Sequence, residues 1–372
     1  MKLALSILCE NPVRPTGLTT LYRALVSRSL ERFADVEWLV YAGPNQDWAV
    51  SDPRVKVVRD FPANDRLVAR LWADHWRVGP HAAAHGASAL VTTGFVPWRA
   101  PLPVAMQVVT LHHLEGRTGG VWRNAYRARA LRSGVRRSIL VIANSDYTAG
   151  RLVRECGAER ARVLVSPEGV DHGRFHAGPV AGESLPAEWN VEPGYLLWVS
   201  AFYPYKHAER LLAAYARLPE SLRLRHPLVF AGGEWDGGRE RAQAAARTLG
   251  LAHAVRFLGR VDDARLPLLY RHAALHALPS TEETFGRTVL EAMACGCPCV
   301  VQDIPAVAEV LADAGVRVDF AAAGAAMEAL QRVLTEPDLA ADLRARGLQR
   351  AQDFSFTRLV DERVDALRAR CR

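Results

Sequence analysis

Lysine is almost missing from this sequence. Lys2, Lys56 and Lys206 are the three lysines among 47 basic residues, so arginine is the default cation and a lysine calls for a reason. Long apolar runs are missing too. Nothing approaches the roughly eighteen consecutive apolar residues that cross a bilayer, which argues against a multi-pass membrane protein. The apolar run after Lys2 stops at Glu10-Asn11-Pro12 with no small-x-small cleavage site, so it reads as a first buried strand rather than a secretion signal. Six cysteines in 372 residues do not make a disulfide scaffold and suggest buried thiols in a reducing compartment, hence a cytoplasmic protein. Cys295, Cys297 and Cys299 alternate more tightly than zinc ligands do, and Gly296 and Pro298 mark a helix end and a strand start, so no metal is expected. A Gly-x-Gly-x-x-Gly turn is lacking as well: Thr16-Gly17-Leu18-Thr19 follows the first apolar run, which argues against a dinucleotide oxidoreductase.

What is present is an alternation of short apolar runs with longer helical patterns, the trace of parallel sheets covered by helices. Candidate strands of a first series are residues 2–9, 37–42, 55–59, 89–92, 104–111, 139–143 and 162–165, with helices at 18–32 and 124–138. From 176 to 193 the pattern lapses into Gly, Pro and Ala, which reads as a linker. A second series follows at 195–200, 228–231, 255–258, 274–277, 298–301 and 316–318. The expected fold is α/β, with two Rossmann-like doubly wound domains over residues 1–180 and 181–355, and a last helix over 356–372 packing back toward the first. Such folds bind ligands at the carboxyl ends of their strands, which places a site in the cleft between two such domains.

The net charge of +7 is unevenly placed. Residues 1–180 carry 24 Lys+Arg against 15 Asp+Glu, a balance of +9, whereas residues 181–372 carry 23 against 25, a balance of −2. Arg123, Arg127, Arg129, Arg132, Arg136 and Arg137 fall in one helical stretch with no acid among them. That is the composition of a face that meets phosphates or anionic lipid, and equally of a solvated face in an arginine-rich chain. No nucleic-acid partner is implied.

The most informative segment is Pro279-Ser280-Thr281-Glu282-Glu283-Thr284-Phe285-Gly286-Arg287-Thr288-Val289-Leu290-Glu291-Ala292-Met293-Ala294-Cys295-Gly296. It leaves a strand, passes a Thr/Gly turn and enters a helix that stops at Gly296 before Pro298. On one continuous helix, Glu283 and Glu291 would stand about 80° apart, at about 100° per residue. With Glu283 in the loop and Glu291 in the first turns of the helix, both can line one pocket at the helix N-terminus. Amides of Phe285, Gly286 and Arg287 and the positive end of the helix dipole would there meet an anion such as a diphosphate.

This segment resembles the glutamate, seven residues, glutamate motif of the retaining glycosyltransferases of family four, which have the GT-B fold. Pro-Ser, both glutamates, Phe-Gly and Leu-Glu-Ala-Met-Ala-Cys-Gly are all in register. The resemblance implies that Glu291 accepts hydrogen bonds from the donor ribose, that Glu283 contacts the transferred sugar, and that Phe285, Gly286, Arg287, Val289 and Leu290 complete the donor site. Val199-Ser200-Ala201-Phe202-Tyr203-Pro204-Tyr205-Lys206 matches the region where the family has a Gly-Arg pair and a later lysine on the donor diphosphate. Ser200-Ala201 replaces Gly-Arg here and leaves Lys206 alone among those cations. Val229-Phe230-Ala231-Gly232-Gly233 and Val255-Arg256-Phe257-Leu258-Gly259 look like the family's following strands. Gly17 sits where the family has a glycine-rich phosphate loop, and His112, in Thr110-Leu111-His112-His113, where it has a His-Asp pair touching the donor sugar.

By this resemblance the chain moves a hexosyl group from a nucleoside-diphosphate sugar, GDP-mannose or a UDP-sugar, to a glycan or lipid-linked acceptor. It does so with retention and with no metal or bound cofactor, and Lys206, Glu283 and His112 act at the reacting centre. Two other readings share the scaffold: an inactive sugar-nucleotide-binding partner protein, motivated by Ala201, and a non-hydrolysing sugar-nucleotide epimerase.

Overall fold

A computed structural model of the chain describes residues 1–10, 17–46, 48, 50–62, 64–111, 114, 120–178 and 184–371. The chain divides into two compact units, Met1–Gly169 with Phe356–Arg372, and Val170–Ser355. Each is built on one all-parallel sheet.

In the first unit the strands are β1 (Lys2–Ser6), β2 (Glu37–Tyr41), β3 (Val55–Val58), β4 (Ala89–Thr93), β5 (Val104–Val108), β6 (Leu140–Ala143) and β7 (Val163–Val165), in the order β3-β2-β1-β4-β5-β6-β7. In the second they are β8 (Tyr195–Val199), β9 (Leu228–Ala231), β10 (Val255–Gly259), β11 (Ala273–Leu278), β12 (Cys299–Gln302) and β13 (Val316–Val318), in the order β10-β9-β8-β11-β12-β13. In their own counting both sheets thus run 3-2-1-4-5-6, the first adding a seventh strand at the end, and this is the doubly wound order in which the direction of winding reverses beside the first strand.

Parallel sheets of this kind are covered on both faces, and the strands show why the residues suit that. Successive side chains point to opposite faces, so Leu3 and Leu5 of β1 join one core cluster and Ala4 joins the other. Tyr195, Leu197 and Val199 of β8 likewise face one core while Leu196 and Trp198 face the second. The β propensity of Val and the aromatic residues, with Leu adding apolar bulk, fits strands buried on both sides.

The last helix, Phe356–Arg370, belongs to the first unit, where Phe356, Leu359, Val360, Val364 and Leu367 join the cluster of Leu3 and Leu5. Arg363 is buried at 1% exposure and donates through Nε to Ser166 Oγ at 3.2 Å and through Nη2 to the Ser166 carbonyl at 3.2 Å. Arg32 grips Asp361 in a bidentate pair at 3.0 and 2.8 Å. A buried guanidinium tied to backbone and hydroxyl fixes the register of this helix on its sheet.

Candidate functional site

In the second unit the winding reverses between β8 and β11, and the loops that follow these two strands carry the motif residues. Residues 200–203 leave β8 and tighten into a short 3-10 turn, Pro204–Lys206; residues 279–286 leave β11 and lead to the helix Arg287–Ala294.

The first loop is held by close backbone approach. Ser200 N–H donates to the Ala231 carbonyl at 3.1 Å and Phe202 N–H to the Gly233 carbonyl at 3.1 Å. A Cβ on Gly232 would lie 1.5 Å from the Ser200 carbonyl oxygen, so only glycine fits there. The second loop is anchored by Phe285, 3% exposed, whose ring meets Phe354 edge-on at 5.8 Å. Gly286 then adopts φ +106°, a conformation that side chains avoid, and opens the helix.

Side chains and backbone stitch the two loops together. Thr281 N–H donates to the Tyr205 carbonyl at 3.0 Å, and His207 Nε2 meets Thr281 Oγ1 at 3.0 Å. Lys206 Nζ donates to Glu283 Oε1 at 2.5 Å, with the two side chains only 14% and 15% exposed. Lys206 also lies 5.3 Å from the Tyr205 ring centroid. A cation and a carboxylate so withdrawn from water hold each other strongly, and losing either leaves a costly lone charge.

Glu291 is in the second turn of the helix and accepts a hydrogen bond from Tyr270 Oη at 3.1 Å. Burial raises its carboxyl to about 7, against the opposing pull of the Arg287 charge and the Tyr270 hydroxyl. Tyr270 is itself fully buried and its ring contacts His276 edge-on at 5.6 Å. His276, also fully buried, places Nδ1 3.2 Å from the Leu197 carbonyl, which assigns the ring proton to that nitrogen. Burial lowers His276 to about 4, so the ring is neutral at pH 7, and the Lys206 charge adds to this.

The sequence-based candidates therefore fall into three sets. Lys206 and Glu283 touch; Phe285, Gly286, Arg287, Val289, Leu290 and Glu291 form the turn and helix beside them, Val289 and Leu290 facing the core. Gly17 opens the helix Gly17–Arg32 in the first unit. His112 lies outside the described residues. Tyr270, His276 and His207 escape sequence reasoning: each is an ordinary helix, strand or loop residue until the fold brings it to a partner more than 20 positions away. The alternating cysteines are free thiols buried beside the helix end, with burial holding Cys297 and Cys299 well above the usual thiol range. No group of three or more His, Cys, Asp and Glu with metal-site geometry occurs among the described residues.

Two Rossmann-like units of this order are those of the GT-B fold, and solved structures bear this out. Sucrose-phosphate synthase from Thermosynechococcus elongatus aligns over 99% of this chain and 98% of its own, with TM-score 0.80 at 21% identity. HepE from Anabaena, solved with UDP-glucose, aligns over 99% and 100%, with TM-score 0.76 at 17% identity. At the level of sequence, a model of the glycosyl transferases group 1 matches residues 185–350, and one of glycosyltransferase family 4 matches residues 15–174. The chain belongs to this glycosyltransferase family. O-antigen chain mannosyltransferase B of Escherichia coli is 28% identical over 66% of this chain and 64% of its own length. A D-inositol 3-phosphate glycosyltransferase of Salinispora tropica is 35% identical over 60% and 50%. The alignments thus span about half to two thirds of the length of these curated relatives.

Proposed function

We propose that this chain is a retaining hexosyltransferase that uses a nucleoside-diphosphate sugar and needs neither a resident metal nor a bound cofactor. The observation that carries the proposal is the Lys206–Glu283 pair, which joins the two loops beside the point where the winding of the second sheet reverses. It supplies a point cation for a diphosphate and a carboxylate for sugar hydroxyls in one place. Glu291, set by Tyr270, receives the ribose, and Phe285, Gly286 and Arg287 frame the phosphates. The named relatives and a neighbour holding UDP-glucose support a sugar-nucleotide donor, either GDP-mannose or a UDP-sugar.

In this reading the acceptor hydroxyl oxygen bonds to the anomeric carbon as the bond from that carbon to the diphosphate oxygen breaks. The bonding electrons leave with the diphosphate, where Lys206 and the helix N-terminus stabilise the developing charge, and a donor phosphate oxygen on the same face takes the hydroxyl proton. The acceptor is a glycan or a lipid-linked sugar, reached by a cytoplasmic protein whose six arginines on the helix Val121–Arg137 draw it to an anionic membrane. Among the described residues no helix is long and apolar enough to cross one. Ala201 favours a second reading, a sugar-nucleotide-binding protein without turnover. Thermal-shift screening of nucleoside diphosphates and sugar nucleotides, at about 100 times the dissociation constant, should reveal the ligand by about 2.7 kcal/mol of stabilisation. Acceptor-dependent release of the diphosphate should then follow. Binding without release would favour the second reading, and no stabilisation by any sugar nucleotide would defeat both.

A further inference from the structure

Among the described residues, eight large apolar side chains between positions 67 and 126 stand exposed in the first unit: Leu67, Val68, Trp72, Trp76, Trp98, Val121, Trp122 and Tyr126. They are not scattered. Val68, Trp72 and Trp76 recur at intervals of four on the helix Leu67–Trp76 and so line one face. Trp76 meets Trp98 edge-on at 5.9 Å; Trp98 stacks on His75 at 4.4 Å; His75 Nε2 joins Tyr126 Oη at 2.7 Å. Tyr126 is one turn beyond Trp122 on the helix Val121–Arg137, and Trp122 is 89% exposed. Three separate segments thus form an aromatic strip joined through His75, which is itself 4% exposed. Exposed apolar surface gathered in this way marks an interaction site.

The exposed charges on the two helices are of one sign, with Asp65 the exposed acid just ahead of the first. The helix Val121–Arg137 carries six arginines, all exposed, and no acid. Its buried positions Asn124, Leu131 and Val135 place Trp122 and Tyr126 on the opposite, outward side. The helix Leu67–Trp76 carries one acid, Asp74, which is 1% exposed and spent on Arg70 at 2.9 Å and Ser6 at 3.1 Å. Arg77 follows, its guanidinium 6.0 Å from the Trp72 ring centroid.

From this strip we infer that the first unit does not merely approach an anionic bilayer by charge but inserts Trp72, Trp76, Trp98 and Trp122 into its headgroup layer. The inference rests on the membrane reading given above and adds the apolar half of the contact. Indole and phenol rings suit a layer that is apolar on one side and wet on the other, and arginines beside them meet the lipid phosphates. A second copy of the chain fits less well, because an isologous contact would set arginines against arginines. A glycan fits less well, because Val68 and Val121, each 82% exposed, offer its hydroxyls nothing beside the rings.

The test uses the full chain with vesicles of phosphatidylcholine, alone or with phosphatidylglycerol, some carrying brominated acyl chains that quench tryptophan near the headgroups. Wild type should bind the anionic vesicles and be quenched. The Trp72→Ser/Trp122→Ser variant, its fold checked by circular dichroism and by thermal shift with nucleotide, should bind at least about tenfold more weakly and lose most of the quenching. Salt-reversible binding that is equal in both proteins and unquenched would overturn the insertion and leave the arginine reading standing. No binding to any vesicle would overturn both. Dimerisation, or affinity for a soluble glycan, that the variant loses while vesicle binding persists would overturn the insertion in favour of those occupants.

Discussion

The two units share a strand order and differ in what they do with the ends of their elements. In the second, the loops after β8 and β11 turn inward on one another: Lys206 pairs with Glu283, His207 with Thr281, and Phe285 is sunk in the core. In the first, helices and a loop present tryptophans and arginines outward. A doubly wound sheet underlies both units, but the second draws paired side chains together on the loops that follow two neighbouring strands, while the first turns its rings and arginines outward mainly from helices. Scaffold and function separate here within one chain.

The sharpest way to break the inward arrangement is at Lys206. Charge-assisted hydrogen bonds to a developing oxyanion contribute about 2.7–4 kcal/mol when preorganised, so Lys206→Ala should lower turnover by about a hundredfold or more, with a smaller loss of donor affinity. Lys206→Arg should rescue in part, since a planar fork does not occupy the place of a compact ammonium. Adding Ala201→Arg to Lys206→Ala should restore turnover further by returning a cation to the loop after β8. Steady-state rates of diphosphate release measure all three; full activity in Lys206→Ala would show that another cation, such as Arg287, neutralises the leaving group.

A smaller effect should separate the two glutamates. Glu291→Ala is expected to weaken the free nucleoside diphosphate and the intact sugar nucleotide alike, by about 10- to 100-fold if hydrogen bonds to a charged group worth roughly 1.5–3 kcal/mol are lost. Glu283→Ala should act mainly on the intact donor and on turnover. It also strands the Lys206 ammonium in a nearly buried position, which should cost the ligand-free protein on the order of 3 kcal/mol. Calorimetry on both ligands distinguishes the roles, and wild-type nucleotide affinity in Glu291→Ala would remove the ribose assignment.

These side chains were unequally legible in the sequence. Strand positions were, because apolar runs of the right length between helical patterns leave few alternatives. The runs overshoot their strands, though: 2–9 holds β1 only to Ser6, while Ile7 and Leu8 stay buried, and 104–111 holds β5 only to Val108, while Leu111 stays buried. Hydrophobicity reports burial, and burial outlasts ladder pairing. Glu283, Glu291 and Lys206 were legible as members of motifs, but not that Lys206 spends its charge on Glu283, 77 positions away. The aromatic strip was hidden for the same reason. Its parts are ordinary pairs at spacing four in two distant helices, and only the fold lays them side by side around Trp98. The lapse in periodicity puts the junction of the two domains at 180/181, while the compact units divide at 169/170.

The finest distinction is whether Tyr270 only fills space or sets the state of Glu291. Its hydroxyl donates to the Glu291 carboxylate and so favours the ionised form, against burial, which holds the group near 7 rather than at its ordinary value of 4.5. A carboxyl raised in the folded state stabilises the ligand-free protein below about 4.5 and loses that contribution as pH rises through about 7. Ribose hydroxyls, by contrast, need the carboxylate as acceptor, so nucleotide affinity should rise with pH through about 7 and then level off. Tyr270→Phe removes the donor, pushes the Glu291 carboxyl higher still and should move that rise to higher pH, with a loss of about three- to tenfold in affinity at neutral pH from one hydrogen bond. Glu291→Gln provides the reference: its affinity should lack this rise, and the titration of the ligand's own phosphates, common to all three proteins, drops out of the comparison. A profile with an unchanged midpoint in Tyr270→Phe would assign Tyr270 to packing alone, because filling space cannot hold a carboxyl in its charged form.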